Sequence, residues 1–478
     1  MLMNQKLAID EQSTKKSFYI ICIGLLVTSL ALATHLPAYP SMVGEFQLGA
    51  GYAAWMQLGF AFGMTGFQPL FGWLGDYLGQ KFVVLAGFIF MVIGSGIVAI
   101  APVFWVLIFG LFVKGLAGSA IVPVGFAYVG KFFSEEKRGK GLGVAAVYSV
   151  IGAAAGPTIA GLFVDTLGWE SSFWLTAVLG AVMFLVITFT VPNVKGDKSK
   201  TFDIQGVLLM LFVLIGLLTI PTFINGYGYN SVMWLPSLGV FAIALFFLVL
   251  VEKKKKEPLL DINYLSDRHF WVPSVVSIFV FLPYVGVMYL LSFFLQDIQG
   301  KPSTLVGLMQ LVIFVATAVG NYFVGRWMIK FSPRFTIAFS ACVLISGAVL
   351  IAFANQNTSI FYIASCLALM GLGIGLIGPA NKAVVLAKAN KSRIGVTTFT
   401  FSTIETTIQR VGASFAIVMF ALFSAGGNGM KAFTITTLIL ATFSVFTLLF
   451  VLFIPKNVVG FKNAEVEIDE NATEEKLV

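Results

Sequence analysis

Apolar runs long enough to cross a bilayer recur from one end of this sequence to the other, and they constrain its fold more than any other feature. A spanning helix needs about 20 mostly apolar residues. Runs of that kind occupy 18–38, 52–71, 82–101, 104–129, 141–164, 172–192, 204–224, 234–251, 271–296, 305–328, 334–354, 360–387, 396–424 and 432–454, which makes 14 spans. Backbone polar groups inside a bilayer must be paired within the protein, so these runs fold as helices. A β-barrel would show alternating segments of about ten residues, and the sequence shows none. Composition agrees. Of 478 residues, 58% are hydrophobic and 11% charged, with a mean hydropathy of +0.94, far outside the range of soluble domains. The expected fold class is an all-α polytopic membrane protein.

The Lys and Arg residues test that count. With the N-terminus in the cytoplasm, 25 of the 30 fall on inner segments and only Lys301 and Lys431 on outer ones; Lys114, Lys382 and Arg410 lie within spans. Cytoplasmic loops carry such an excess, so both termini are expected in the cytoplasm. The net charge of +8 has the same origin, and no nucleic-acid partner is expected. The three cysteines, Cys22, Cys342 and Cys366, lie inside apolar runs and predict neither a disulfide nor a metal site. The first run has no small-residue cleavage site after it and reads as a span rather than a removable signal. There is no G-x-x-x-x-G-K-[ST] element, so ATP is not expected to power the protein directly, and no cofactor is expected. The only histidines are His35 and His269, and no cluster of His, Asp, Glu or Cys suggests an enzyme.

The chain divides into a cytoplasmic tail (1–17), a six-helix half (18–192), a linker with two extra spans and the basic run Lys253–Lys256 (193–270), a second six-helix half (271–455) and an acidic cytoplasmic tail (456–478). The final tail is too polar to pack and reads as disordered. Between the second and third runs lies Gly72–Lys81, GWLGDYLGQK. It reads as a short polar loop whose glycines let two helix ends approach. Asp76 is placed to face a helix N-terminus or a basic side chain. A worn echo, GRWMIKFSPR, occupies Gly325–Arg334, with Ile329 where the first copy has Asp76. An echo at the equivalent loop predicts an internal repeat.

The stretch Gly72–Lys81 resembles the loop after the second helix of major facilitator superfamily transporters, with Gly72, Gly75, Asp76, Gly79 and Lys81 at the motif positions. GAAAGPTIAG, Gly152–Gly161, resembles the G-x-x-x-G-P-x-x-x-G element of the superfamily's exporters, carried by Gly152, Gly156, Pro157 and Gly161. Read from the residues alone, the same small residues serve close helix packing, with Pro157 bending the helix. Both motifs, the span count and EKKKKEPLLDINYL at Glu252–Leu265 resemble the fourteen-helix drug:proton antiporter branch, which holds QacA-type multidrug and Gram-positive tetracycline exporters. The resemblance implies two six-helix halves, alternating access with the Gly72–Lys81 loop in the inner gate, and proton-driven export of lipophilic compounds. It also implies a monomer in the plasma membrane, with a lipophilic or amphiphilic small molecule, protons and the bilayer as its partners. The sequence departs from the branch at two places. Thr28 stands where many relatives carry an acid in helix 1. In helix 4, Leu111 and Lys114 replace the Arg and Gln of R-x-x-Q-G.

Ionisable residues inside spans mark functional positions or structural pairs. Here they are Lys114, Lys382, Glu405 and Arg410, with His35 toward the outer end of helix 1. Glu405, with Ser402 and Gln409 near its face, is either a proton carrier or a fixed partner of Lys382 or Arg410. Lys114 is either a functional cation or a structural counter-charge. Gln57 and Gln310 complete the candidate proton and substrate cavity. Three cations against one acid favour anionic or zwitterionic amphiphiles. The expected function is secondary active, proton-coupled export of lipophilic drugs or amphiphiles; the alternative is an exporter or flippase of an anionic metabolite or lipid with atypical coupling.

Overall fold

The computed structural model describes residues 11–132, 135–193, 196–198, 203–228, 230–255, 262–389, 394–424 and 427–454. Most of the N-terminal tail, Lys256 of the basic run and the acidic tail 456–478 lie outside the described residues. The helices are α1 (Glu11–Ala33), α2 (His35–Glu45), α3 (Ala53–Gly66), α4 (Gln68–Leu78), α5 (Gln80–Ala99), α6 (Phe104–Phe132), α7 (Glu135–Leu167), α8 (Trp169–Thr190), α9 (Ile204–Tyr227) and α10 (Leu235–Lys254). They continue as the short α11 (Ile262–Leu265), then α12 (Arg268–Phe293), α13 (Ser303–Lys330), α14 (Pro333–Ala352), α15 (Ile360–Leu386), α16 (Ile394–Ser424) and α17 (Gly429–Val451). Among the described residues there is no strand, and 13 helical segments are long and apolar enough to span a membrane.

Of the 14 expected runs, 52–71 is the one without a counterpart among those 13 segments. It divides into α3, 14 residues, and α4, which meet at Phe67. Pro69 explains the break: its ring has no N–H to give and clashes with the carbonyl four residues back. The first span is also broken. α1 stops at Ala33 and α2 carries the helical path on to Glu45, past the expected end at residue 38. Pro37 cannot donate to the Ala33 carbonyl, so the chain turns at Thr34.

The stretch Gly72–Lys81 is not a loop throughout. Gly72–Leu78 completes α4, Gln80 and Lys81 begin α5, and Gly79 alone makes the turn, with φ 109° and ψ 138°. That conformation suits glycine only. Gly79→Ala should destabilise the protein by about 1–3 kcal/mol, read as a lowered thermal-unfolding midpoint in detergent. Gly72→Ala, where an added Cβ meets nothing within 4 Å, should leave the midpoint unchanged.

Two compact units are present: Met1–Phe46 with Gly59–Val207, and Gln47–Leu58 with Leu208–Val478. In the first, α1 packs on α7, α5 on α6, and α5 on α8. In the second, α12 packs on α16, α14 on α15, and α14 on α17. The same pairing order appears in both, the structural counterpart of the sequence echo. The core of the first unit gathers Leu25, Phe88, Met91, Ile121, Met183 and Ile187. Its helices approach closely through small residues, as membrane helices must when apolar burial alone does not drive them together. A Cβ at Gly63 would stand 2.1 Å from the Phe112 carbonyl oxygen, and one at Gly115 2.4 Å from that of Phe60. The inserted pair follows the same rule, with Gly216 of α9 against the Phe241 backbone of α10. α10 keeps most of its apolar side chains exposed, Ile243, Phe246 and Phe247 among them.

Candidate functional site

The α4–α5 turn is tied down by its neighbours. The Asp197 N–H donates to the Asp76 carbonyl oxygen at 2.7 Å, so the segment after α8 is fastened to the end of α4. Lys81 Nζ donates to the Thr188 carbonyl oxygen at 2.8 Å. Gly75 faces Val124 of α6, which an added Cβ would meet at 3.1 Å. The Asp76 side chain is exposed. The exporter-like motif has an equally plain place: a Cβ at Gly152 would stand 2.1 Å from the Leu26 carbonyl oxygen, and one at Gly156 2.6 Å from that of Leu30. Pro157 lies inside α7 and Gly161 is buried one turn beyond it. The motif is thus the seam between α1 and α7.

Lys114 is wholly buried on α6. Its Nζ donates to Thr34 Oγ1 at 2.9 Å and sits 4.4 Å from the centroid of the Phe173 ring. Thr34 in turn donates to the Ala31 carbonyl oxygen at 2.9 Å. Thr34 stands at the junction of α1 and α2, and the ring face supplies a cation–π contact. Thr28, at the position of the missing acid, donates to the Gly24 carbonyl oxygen of its own helix at 2.7 Å. His35 packs against Phe60 and Tyr39, with ring centroids 4.3 and 5.3 Å apart.

The second unit brings together the residues with the most distinctive chemistry. Glu405 on α16 is buried. Its Oε2 lies 3.4 Å from Lys382 Nζ of α15, and Ser277 Oγ of α12 donates to its Oε1 at 3.4 Å. Asn381 Nδ2 donates to Ser277 Oγ at 3.2 Å and to the Pro273 carbonyl oxygen at 3.3 Å. Three helices therefore converge on one carboxyl group. The carboxylate is covered, whereas the lysine arm keeps 48% of its surface exposed. Of the partners expected for Glu405, the structure selects Lys382. The helix neighbour Ser402 instead gives its carbonyl oxygen to Thr406. Arg410 belongs to a different group: its guanidinium and Gln57 Oε1 both bind the Tyr289 hydroxyl, which donates to Gln57 at 2.7 Å. Gln310 Nε2 donates to the Met288 carbonyl oxygen at 3.2 Å. Sequence reading missed Ser277, Asn381 and Tyr289. Asn381 was the readable one, an amide inside an apolar span and next to Lys382.

At the start of α12, Asp267 caps the helix by accepting from the His269 N–H at 2.8 Å. It also meets His269 Nδ1 at 2.9 Å and Lys388 Nζ at 3.0 Å. Partial burial pushes its carboxyl up, but the His269 N–H and the Lys388 ammonium outweigh this and hold it at about 2. The ionised form is the one stabilised. Its contribution is therefore complete above the ordinary value of 3.8 and is lost as pH falls through about 2. Asp267→Ala should cost about 1 kcal/mol at neutral pH through the lost cap. Asp267→Asn keeps the cap and should flatten the acid limb of the unfolding midpoint between about pH 5 and pH 2.

Comparison with known proteins places this architecture. The Major Facilitator Superfamily profile matches residues 21–413. Multidrug transporter protein MdtP of Bacillus subtilis (strain 168) is 26% identical over 407 residues, covering 83% of this chain and 74% of that protein. Riboflavin transporter RibZ of Clostridioides difficile (strain 630) is 25% identical over 404 residues, covering 84% of this chain and 87% of that protein. Among solved structures, the POT family transporter PepTSo superposes with a TM-score of 0.68 at 16% identity, over 92% of this chain and 97% of that one. A bacterial homologue of the human lysosomal transporter Spinster, in an inward-facing conformation, gives 0.67 at 13% identity, over 92% and 98%. These relatives and neighbours are transporters, none an enzyme. The chain is a multi-pass integral membrane transporter for small molecules and belongs to the Major Facilitator Superfamily.

Proposed function

We propose that this transporter exports lipophilic and amphiphilic small molecules by alternating access, exchanging them for protons carried on Glu405. The observation that carries the reading is the meeting of Ser277, Lys382 and Glu405: a covered carboxyl whose lysine partner is half exposed. A proton arriving at the carboxyl breaks the ion pair and frees the lysine; a proton leaving restores it. The proton and the ion pair exclude one another at this carboxyl, so a substrate that binds the ion-paired form in preference to the protonated one is exchanged for a proton. The multidrug relative MdtP supports the substrate class. In this reading the protein sits in the plasma membrane as a monomer with both termini in the cytoplasm. Its fourteen spans form two six-helix halves (18–192 and 271–455) and a central pair within 193–270. The α4–α5 turn, with Gly72, Gly75, Asp76, Gly79 and Lys81, belongs to the inner gate.

A second reading is favoured by Lys114, a cation held by a hydroxyl and a ring rather than a carboxylate; the riboflavin-transporting relative adds flavins to the candidate substrates. An anionic substrate would bind Lys382 best when Glu405 is protonated, and would travel with protons instead of against them. Everted vesicles with an imposed acid interior separate the two. Accumulation of a lipophilic cationic dye that collapses on adding a protonophore supports the first reading. Dye indifference together with proton-linked movement of an anionic flavin phosphate supports the second.

A further inference from the structure

Between Asp297 and Glu405 the sequence holds no Asp or Glu, yet it holds eight Lys and Arg residues. Two of them have acids from outside that stretch: Lys382 meets Glu405 and Lys388 meets Asp267. Three others gather where α13 passes into α14. Arg326 and Lys330 are four residues apart on the last turns of α13, and Arg334 is in the first turn of α14. Residues four apart share one face of a helix. Among the described residues, none of the three pairs with a carboxylate.

These cations stand beside an aromatic ladder. Trp327 meets Phe331 at 5.3 Å and Phe339 at 5.2 Å between ring centroids, and Phe331 meets Phe335 at 5.0 Å. The rings of Phe331, Phe335 and Phe339 are exposed, and the Arg326 guanidinium lies 5.3 Å from the exposed ring of Tyr322. The flanking segments Ser303–Met328 and Pro333–Ala352 both qualify as spans, so the link between them lies at a membrane surface. Cations at the level of the headgroups and rings at the level of the acyl chains match one kind of molecule. We propose that the α13–α14 link binds an anionic phospholipid, its phosphate held by Arg326, Lys330 and Arg334 and its acyl chains lying along the Phe331–Phe335–Phe339 face. Guanidinium groups take a phosphate by paired hydrogen bonds. A zwitterionic lipid brings its own ammonium and leaves the three protein charges uncompensated.

The test reads Trp327, isolated from the other tryptophans as the difference between wild type and Trp327→Phe. The full chain is reconstituted in phosphatidylcholine vesicles containing a minor fraction of either phosphatidylglycerol or phosphatidylcholine with brominated acyl chains, which quench neighbouring indoles. The expected result is a preference of about tenfold for the brominated phosphatidylglycerol. It should weaken in high salt and fall to parity in an Arg326→Gln, Lys330→Gln, Arg334→Gln variant. Should the triple variant not fold, Lys330→Gln alone, at an exposed position, should reduce the preference severalfold. Equal quenching by the two lipids in wild type overturns the proposal, as does a preference that survives the substitutions. Soluble glycerol phosphate is the competing source of the same headgroup chemistry; if it abolishes the preference at concentrations comparable to the lipid, the ligand is a free phosphate and the proposal fails.

Discussion

Gly152→Leu is expected to leave almost no folded transporter. The Cβ position at Gly152 already lies 2.1 Å from the Leu26 carbonyl oxygen, a backbone atom of α1 that cannot swing aside as a side chain can. Accommodating even one carbon means parting α1 from α7 along the seam, where Gly156 makes the next close approach at 2.6 Å from the Leu30 carbonyl oxygen. Overpacking of this kind costs about 3 kcal/mol or more, a large part of the few kcal/mol that keep a domain folded. The yield of monodisperse protein after detergent extraction, with the thermal-unfolding midpoint of whatever remains, is the measurement. Gly143→Leu is the control on the same helix, because an added Cβ there meets nothing within 4 Å; it should extract like wild type. If Gly152→Leu did so as well, the seam would not be the close contact described.

The second large effect is expected at Glu405. Glu405→Gln preserves shape and one hydrogen-bonding oxygen but removes the proton site and the ion pair with Lys382. Gradient-driven transport should fall at least about a hundredfold, the lower end of what loss of a positioned proton-transfer group produces. Energy-independent exchange of substrate should continue. Lys382→Gln should have a different signature: it leaves a covered carboxylate without its cation, so the variant should lose stability as well as transport. The Ser277 and Asn381 contacts belong to the same network, and Ser277→Ala should give a smaller loss than either.

How much of this was legible in the sequence depends on the range of the interaction involved. Apolar runs and basic loops report on partition between water and lipid, a local property, and they placed the helices well. Pro69 was visible as well, yet the run 52–71 was read as one span because hydropathy is blind to a missing N–H. Gly72–Lys81 looked like a loop because glycine and polar residues mark loops in soluble proteins; here Gly75 is a packing surface against Val124, and only Gly79 turns the chain. Glu405 stood out as a lone acid, and Lys382 was one of two partners considered. Arg410 is about 140° around an ideal helix from Glu405, which already disfavours that pair; the contact with Lys382 on another helix needed tertiary structure. Lys114 and Thr34 are 80 residues apart, and only the packing of α6 against the α1–α2 junction brings them together.

Proton movement in proteoliposomes tests the central claim most directly. An internal pH dye reports what substrate transport does to protons when no gradient is imposed and the membrane potential is clamped. The account predicts that a transported cationic substrate drives protons in the opposite direction in wild type, and that Glu405→Gln still exchanges substrate with no proton signal. A proton signal that persists undiminished in Glu405→Gln, or substrate transport by wild type with no proton movement at all, would contradict it.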